Sequence, residues 1–318
     1  MDPALILPPE RDDRWDLALQ MGVDQAVIHP LEIGDGRIHW DFDDLLLMRN
    51  AFEEAGLEIA VMEGSVPITD TTRLGLDGRD EEIAEFKQFV RDCGALGIPT
   101  ICYDWMGVLR WARTSTSVRS RGGSLTTEYN DAHMRAGPAP KRTPVSRDDL
   151  WEALSYFLEE VVPVAEEAGV NLGLHPDDPP IPEVRSVPRI ITSPEAYERV
   201  LDIVDSPANG ITFCQGNFAA MGVDIPEQIH RFADRINFVH FRDVRHTEEG
   251  FVETWHDDGP TDMLAAMRAY EEAGVDAVAR PDHVPTMATE DNDNPMYETL
   301  GRLFAIGYMK GLREQATA

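Results

Sequence analysis

Val170-Asn171-Leu172-Gly173-Leu174-His175-Pro176-Asp177-Asp178-Pro179-Pro180 is the stretch that decides how this chain is read. Its first five residues have the make-up of a short buried strand. A histidine, two carboxylates and a cluster of prolines follow at once. Proline has no backbone N–H and stops a strand, so His175 is expected at the strand's exit, where the chain turns. The C-terminal end of a parallel strand is where α/β barrels place their chemistry. Taken alone, His175 reads equally as a turn residue, and its partners must come from elsewhere.

Outward from that stretch, strand and helix alternate along the chain. Ala4–Leu7, Gln25–Pro30, Glu58–Met62 and Pro99–Tyr103 read as four strands, the third ending at Gly64-Ser65. Gly210–Cys214, Ile236–Phe241 and Asp276–Arg280 follow the His175 strand. Apolar residues at helical spacing fill the intervals, as with Ile83, Phe86, Val90 and Cys93. Ser193-Pro194-Glu195 is a helix start, with serine as cap and proline in the first turn. Eight strands, each followed by a helix, predict an α/β fold of the (β/α)8 TIM-barrel type, one domain over residues 1–318. One connection, about 104–146, is too long to be a tight turn and suggests a lid or binding loop. Arg110, Arg113, Arg119 and Arg121 within it suggest an anion site, or pairing with surface acids.

The chain has 58 Asp plus Glu against 28 Lys plus Arg, a formal net charge of −30. That charge repels nucleic acid and argues against binding it. The acids are spread over the helices, and lysine occurs only at 87, 141 and 310. This pattern suggests adaptation to high salt, where counterions screen self-repulsion. No apolar run is long enough for a membrane helix, and the first residues do not read as a signal peptide. Cys93, Cys102 and Cys214 lack metal-finger or disulfide spacing, which points to a reducing cytoplasm.

The last four strands each deliver a side chain able to bind metal: His175, Cys214, His240 and Asp282. Barrel strands converge at one rim, so these residues can meet. Two imidazoles, a thiolate and a carboxylate suit Zn²⁺ or Fe²⁺, and open positions also admit Mn²⁺. Singly, Cys214 reads as a small buried hydrophobe and Asp282 as a turn cap; together the four predict a metal site.

At this point the residues carry a family resemblance. His175-Pro176-Asp177-Asp178-Pro179-Pro180, Asp205-Ser206-Pro207-Ala208-Asn209-Gly210 and Arg280-Pro281-Asp282-His283 resemble mannonate dehydratase, as do Arg113-Thr114 after Trp111 and Pro188-Arg189-Ile190-Ile191. The resemblance runs from about Gln25 to Gly311. It implies a xylose-isomerase-like barrel, a divalent metal, usually Mn²⁺ with Fe²⁺, Co²⁺ or Zn²⁺ as alternatives, and conversion of D-mannonate to 2-keto-3-deoxy-D-gluconate in hexuronate degradation. It also implies His175, Cys214, His240 and Asp282 as ligands, and His283 and Tyr297 as the acid–base pair in an order left open. Arg242 and Arg113 are the expected substrate contacts, with a salt bridge to Asp243 as the other reading of Arg242. Three positions depart from the family pattern on the expected substrate side: Asp104, Gln215 and Val284-Pro285.

The chemistry suits such a set. Dehydrating a sugar acid requires loss of a proton beside a carboxylate and departure of a neighbouring hydroxyl, hence a cation, a base and an acid. Alternatives are a sugar isomerase or epimerase on the same barrel, a dehydratase of another aldonate, and a non-catalytic sugar-acid binder. Isomerases more often gather several carboxylates, and a binder would be expected to have lost ligands. The partner is a small sugar acid; a homo-oligomer stays open. Asp177 and Asp178 are expected to orient ligands or cap the turn.

Overall fold

A computed structural model describes residues 1–29, 32–33, 37–38, 41–64, 66–138, 140 and 144–318. Eight parallel strands close into a barrel: β1 (Asp2–Leu7), β2 (Gln25–Ile28), β3 (Glu58–Glu63), β4 (Thr100–Asp104), β5 (Asn171–His175), β6 (Asn209–Cys214), β7 (Ile236–Phe241) and β8 (Val278–Pro281). Neighbours in sequence are neighbours in the sheet, and β8 returns to β1 through Asp2 beside Val278 and Pro3 beside Ala279. The strands expected from sequence are all present, shifted by at most two residues at an end. Pro30 and Ser65, where the sequence ends the second and third strands, lie outside the described residues.

The strands are buried on both faces, as a helix-wrapped parallel sheet must be. Ala4, Val27, Ala60, Val61, Cys102 and Phe238 form an apolar group drawn from the strands alone. The larger core lies between strands and helices; Phe86, Phe157, Tyr103 and Trp105 meet there, with Phe157 5.2 Å from Phe86 and 5.1 Å from Trp105. Helix Arg147–Ala168 opens on a capping box, Ser146 and Asp149 each bonding the other's backbone. It ends at Gly169, whose left-handed backbone (φ 67°) redirects the chain into β5. No helix among the described residues is long and apolar enough to cross a membrane.

One expectation needs correction. The segment after β4 is not a structureless loop. Ser115–Arg119 and Leu125–Asn130 are strands, and they join Gly250–Glu253 and Val244–Thr247 in a four-stranded antiparallel sheet. Phe251 pairs with Tyr129 and Val252 with Glu128 across it. Two connections, after β4 and after β7, therefore build one platform beside the barrel rim. Its strands are rich in Ser, Thr and charged residues, so no apolar alternation announced them.

Candidate active site and metal centre

The ends of β5, β6, β7 and β8 converge. One ligand atom each from His175, Cys214 and His240 lie within 4.8 Å of one another. Asp282 joins them: its Oδ2 is 3.9 Å from Cys214 Sγ and 3.6 Å from His240 Nδ1. An ion held about 2.0–2.3 Å from each nitrogen and sulfur requires donors roughly 3–4.5 Å apart, and these separations are of that size. Cys214, His240 and Asp282 are buried, and His175 is half-buried.

Two further observations fit a cation. Nδ1 of His240, 2% exposed, has no hydrogen-bond partner among the described residues. A buried polar atom without a partner costs free energy unless something satisfies it. The second is the tautomer of His175. Its Nδ1 lies 2.7 Å from the Pro176 carbonyl oxygen, which can only accept, so Nδ1 carries the proton and Nε2 keeps a lone pair. Glu63 Oε1 stands 3.0 Å from His240 Nε2, the position of a carboxylate that orients a ligating histidine.

A second group, Glu63, Cys102 and His240, also has the spacing of a metal site. It is already occupied by protein. Arg280 Nε and Nη2 bond both oxygens of Glu63 at 2.8 and 2.6 Å. Burial would raise the Glu63 carboxyl, but Arg280 and then His240 outweigh it and hold it well below the usual range. Burial, and next Glu63, push the Cys102 thiol up, away from the thiolate a metal needs. The raised Cys102 thiol weighs against this group, and His175, Cys214 and His240, with Asp282 beside them, are the better candidate for a cation.

Asp282 is ionised against the same opposition. Burial raises its carboxyl, and Arg280, His283, His240 and Arg242 together hold it well below the usual range. Its Oδ1 is 2.7 Å from Arg280 Nη1, and its Oδ2 is 2.8 Å from Arg242 Nε.

These groups border a cavity of about 240 Å³, lined by His175, His240, Asp282, His283, Tyr297, Asp104, Arg110 and Trp111 among others. His283 enters it from a left-handed backbone, φ 44°, a conformation that costs energy outside glycine and collects at functional sites. Its ring stands edge-on to Trp111 and Tyr297, each 5.7 Å away between centroids. Burial, and next the Asp282 charge, push the Tyr297 phenol up, so it is protonated. His283 and Tyr297 are thus brought together at the cavity wall beside the four candidate ligands.

The two arginines expected to receive substrate lie back from the cavity. Arg113 and Arg242 are wholly buried and do not line the cavity. Arg113 binds Asp178 at 2.5 and 3.0 Å and Glu253 at 2.5 Å. Arg242 Nη1 reaches both oxygens of Glu253 at 3.0 and 2.9 Å, and Nη2 reaches Asp178 at 3.0 Å and also Asn217. Their Nη groups bond this chain's own carboxylates, the Ala112 carbonyl and Asn217. Asp243, the alternative partner for Arg242, instead binds Thr261 and the Val244 backbone. The packing around Arg242 is close: a Cβ added to Gly216 would come within 2.4 Å of its Nη1. Two arginines line the cavity: Arg280, buried and bound to Glu63 and Asp282, and Arg110, half-exposed and 2.7 Å from Asp104 Oδ2.

The two aspartates of the opening stretch now have separate tasks. Asp177 accepts from the backbone N–H of Ile190 and Ile191 at 2.9 and 2.7 Å, pinning that segment to the strand's exit. Asp178 is the shared anion between Arg113 and Arg242; burial raises its carboxyl, and the two guanidiniums more than reverse this. Of the three departures from the family pattern, only Asp104 lines the cavity. Gln215 is buried against the Arg242 carbonyl and Met263, and the Val284 N–H donates to Met296.

Glu63, Glu253, Arg280 and Asn217 are site residues that sequence reasoning missed. Glu63 and Arg280 close strands already recognised, so their position at the rim was a usable signal. Glu253 lies in the platform sheet and Asn217 follows Cys214 on a short helix; neither carries a motif of its own.

Comparison with known proteins agrees with this geometry. A family model described as D-mannonate dehydratase (UxuA) matches residues 16–141 and 139–318. A mannonate dehydratase of Shouchella clausii is 36% identical, over 86% of this chain and 85% of that protein. The crystal structure of mannonate dehydratase from Streptococcus suis serotype 2 superposes with a TM-score of 0.92 at 32% identity, covering 100% of this chain and 95% of that one. A xylose isomerase domain protein from Alicyclobacillus acidocaldarius has a TM-score of 0.64 at 14% identity over the whole of both chains, a likeness of fold.

Proposed function

The chain belongs to the D-mannonate dehydratase family, and from that premise we propose that it removes water from D-mannonate to give 2-keto-3-deoxy-D-gluconate. The observation that carries this reading is the meeting of His283 and Tyr297 with His175, His240 and Asp282 around one cavity, with Cys214 packed behind them. His175, Cys214, His240 and Asp282 would hold a divalent cation, Mn²⁺ by family resemblance. Bound there, it would stabilise the negative charge that forms on the substrate carboxylate and adjacent hydroxyl when C2 loses its proton.

The chain's residues supply the remainder. His283 and Tyr297 move two protons: one leaves C2, and one joins the C3 hydroxyl as its C–O bond breaks, releasing water. The resulting enol becomes the 2-keto product by losing its C2 hydroxyl proton and taking a proton at C3. Arg110 is the cavity-lining guanidinium with exposed surface, and it takes the place first given to Arg242 as a contact for the anionic substrate. Asp104 holds Arg110 and is itself held low: burial raises its carboxyl, and Arg73 and Arg110 outweigh it.

The test is incubation of the Mn²⁺-loaded protein with D-mannonate and other aldonates, scored for a 2-keto-3-deoxy acid. Product from D-mannonate supports the reading, with Arg110→Met raising KM about tenfold, the value of one charge-assisted contact. No product from any aldonate at full metal occupancy would overturn it; product from another aldonate alone would change the substrate and keep the chemistry.

A reducing cytoplasm suits the three cysteines, which are all buried and unpaired. A salt-adapted surface suits the net charge of −30. Raising KCl from about 0.1 M to about 2 M is expected to lift the thermal midpoint by roughly 10 °C, because the Debye length shrinks to near contact distance and the acids stop repelling. An unchanged midpoint would remove the salt-adaptation reading.

A further inference from the structure

We propose that Glu253, carried on the platform sheet and outside the barrel, is the positioning residue that fixes the ring of His283 with Nδ1 protonated and Nε2 turned to the cavity. The proposal rests on the dehydratase reading for its catalytic meaning, but the geometry stands apart from it. Glu253 Oε1 is 2.9 Å from His283 Nδ1, and Glu253 is completely shielded from solvent. Arg113 and Arg242 both bind the same carboxylate. Burial would raise Glu253, yet Arg242, His283 and Arg113 hold it down to about 2. A carboxylate so held has no proton to give and can only accept.

The proton of that hydrogen bond therefore belongs to Nδ1. The opposite tautomer would set a ring lone pair against a carboxylate oxygen, with only Arg113 Nη2, 3.4 Å from Nδ1, to offset it. Nε2 also faces a carboxylate, Asp282 Oδ1, but at 3.5 Å against 2.9 Å for Nδ1 and Glu253, so the neutral ring keeps its proton on Nδ1 and its lone pair on Nε2, on the candidate-metal side. This assigns His283 as the group that takes the C2 proton. Glu253 accepts the Nδ1–H bond before and after transfer, and it balances the imidazolium that forms. The edge contacts of Trp111 and Tyr297 flank the ring on either side of that hydrogen bond. The connection after β7 thereby takes part in a site whose candidate ligands all come from barrel strands.

The experiment is long-range ¹H–¹⁵N correlation on histidine-labelled, zinc-loaded full-length protein, with His283 assigned by the signals lost in His283→Asn. The expected pattern is a protonated Nδ1 and an unprotonated Nε2. Glu253→Gln keeps the shape but can present an N–H to the ring, and it is expected to disturb that pattern. It should also lower kcat at least about a hundredfold with KM changed less than about threefold and zinc content intact, the scale of a misoriented general base. Glu253→Asp keeps the carboxylate and should recover part of kcat. A wild-type His283 protonated on Nε2 alone would overturn the proposal, as would full kcat in Glu253→Gln. Where Glu253→Gln fails to fold, the wild-type spectrum still decides the tautomer. That spectrum needs no substrate, so an inactive protein with the expected tautomer would count against the dehydratase reading and not against Glu253.

Discussion

Replacing His240 with alanine is expected to remove the metal and the activity together. His240 stands between the other donors: its Nδ1 is 3.6 Å from Asp282 Oδ2 and its ring centroid is 4.9 Å from that of His175. Without it the remaining donors come from one half-buried histidine, one thiol and a carboxylate that two arginines already hold. Residues that merely orient a ligand cost about 10–100-fold in metal affinity when removed. Loss of a ligand should exceed that, and the dialysed variant is expected to keep under about a tenth of the bound metal. Metal analysis after dialysis, with turnover on the same sample, reads both. The fold should persist, since the strand that carries His240 is held by its backbone pairing to both neighbours. Cys102→Ala is the control: it belongs to the competing Glu63–Cys102–His240 group, and loss of metal there would move the centre to that group.

The second large effect belongs to His283. His283→Asn is expected to lower kcat by about 10²–10⁴, the range for loss of a positioned acid or base, while metal content stays at the wild-type level. The separation of the two effects is what the geometry requires. His283 lines the cavity beside Asp282, but its Nδ1 is committed to Glu253 at 2.9 Å. Activity within about tenfold of wild type would place the proton transfer on another group, and Tyr297, 5.7 Å away between ring centroids, would be the first examined.

The barrel was legible because its signal is local and repeated. Each strand is a short apolar run bounded by turn residues, and helices with caps such as Ser146 and Ser193 separate them. Four candidate ligands were legible because strand ends occupy equivalent positions in a barrel, so sequence register stands in for space. The platform sheet was not, because Ser115–Arg119 is mostly polar and exposed and pairs with strands more than a hundred residues away only through Leu125–Asn130. The misplacement of Arg242 has the same origin. Sequence puts an arginine two residues beyond His240 and cannot show that Asp178, Glu253 and Asn217 converge on it from three other elements. Charge pairing over long sequence distance is the information a single chain of letters lacks. Arg110, in turn, was visible only as one of several arginines in an irregular stretch.

The seam of the barrel has a consequence for biosynthesis. β1 finds its first neighbour as soon as Gln25–Ile28 emerges, but its other edge waits for Val278 and Ala279. At about 5–20 residues per second, translation of the intervening chain occupies roughly ten to fifty seconds, during which that edge stays open to wrong pairing. Asp282 is made four residues after Val278. The strand that seals the nascent barrel and the last side chain of the four-donor group are therefore made together, so the donor group is complete only once the seam can close.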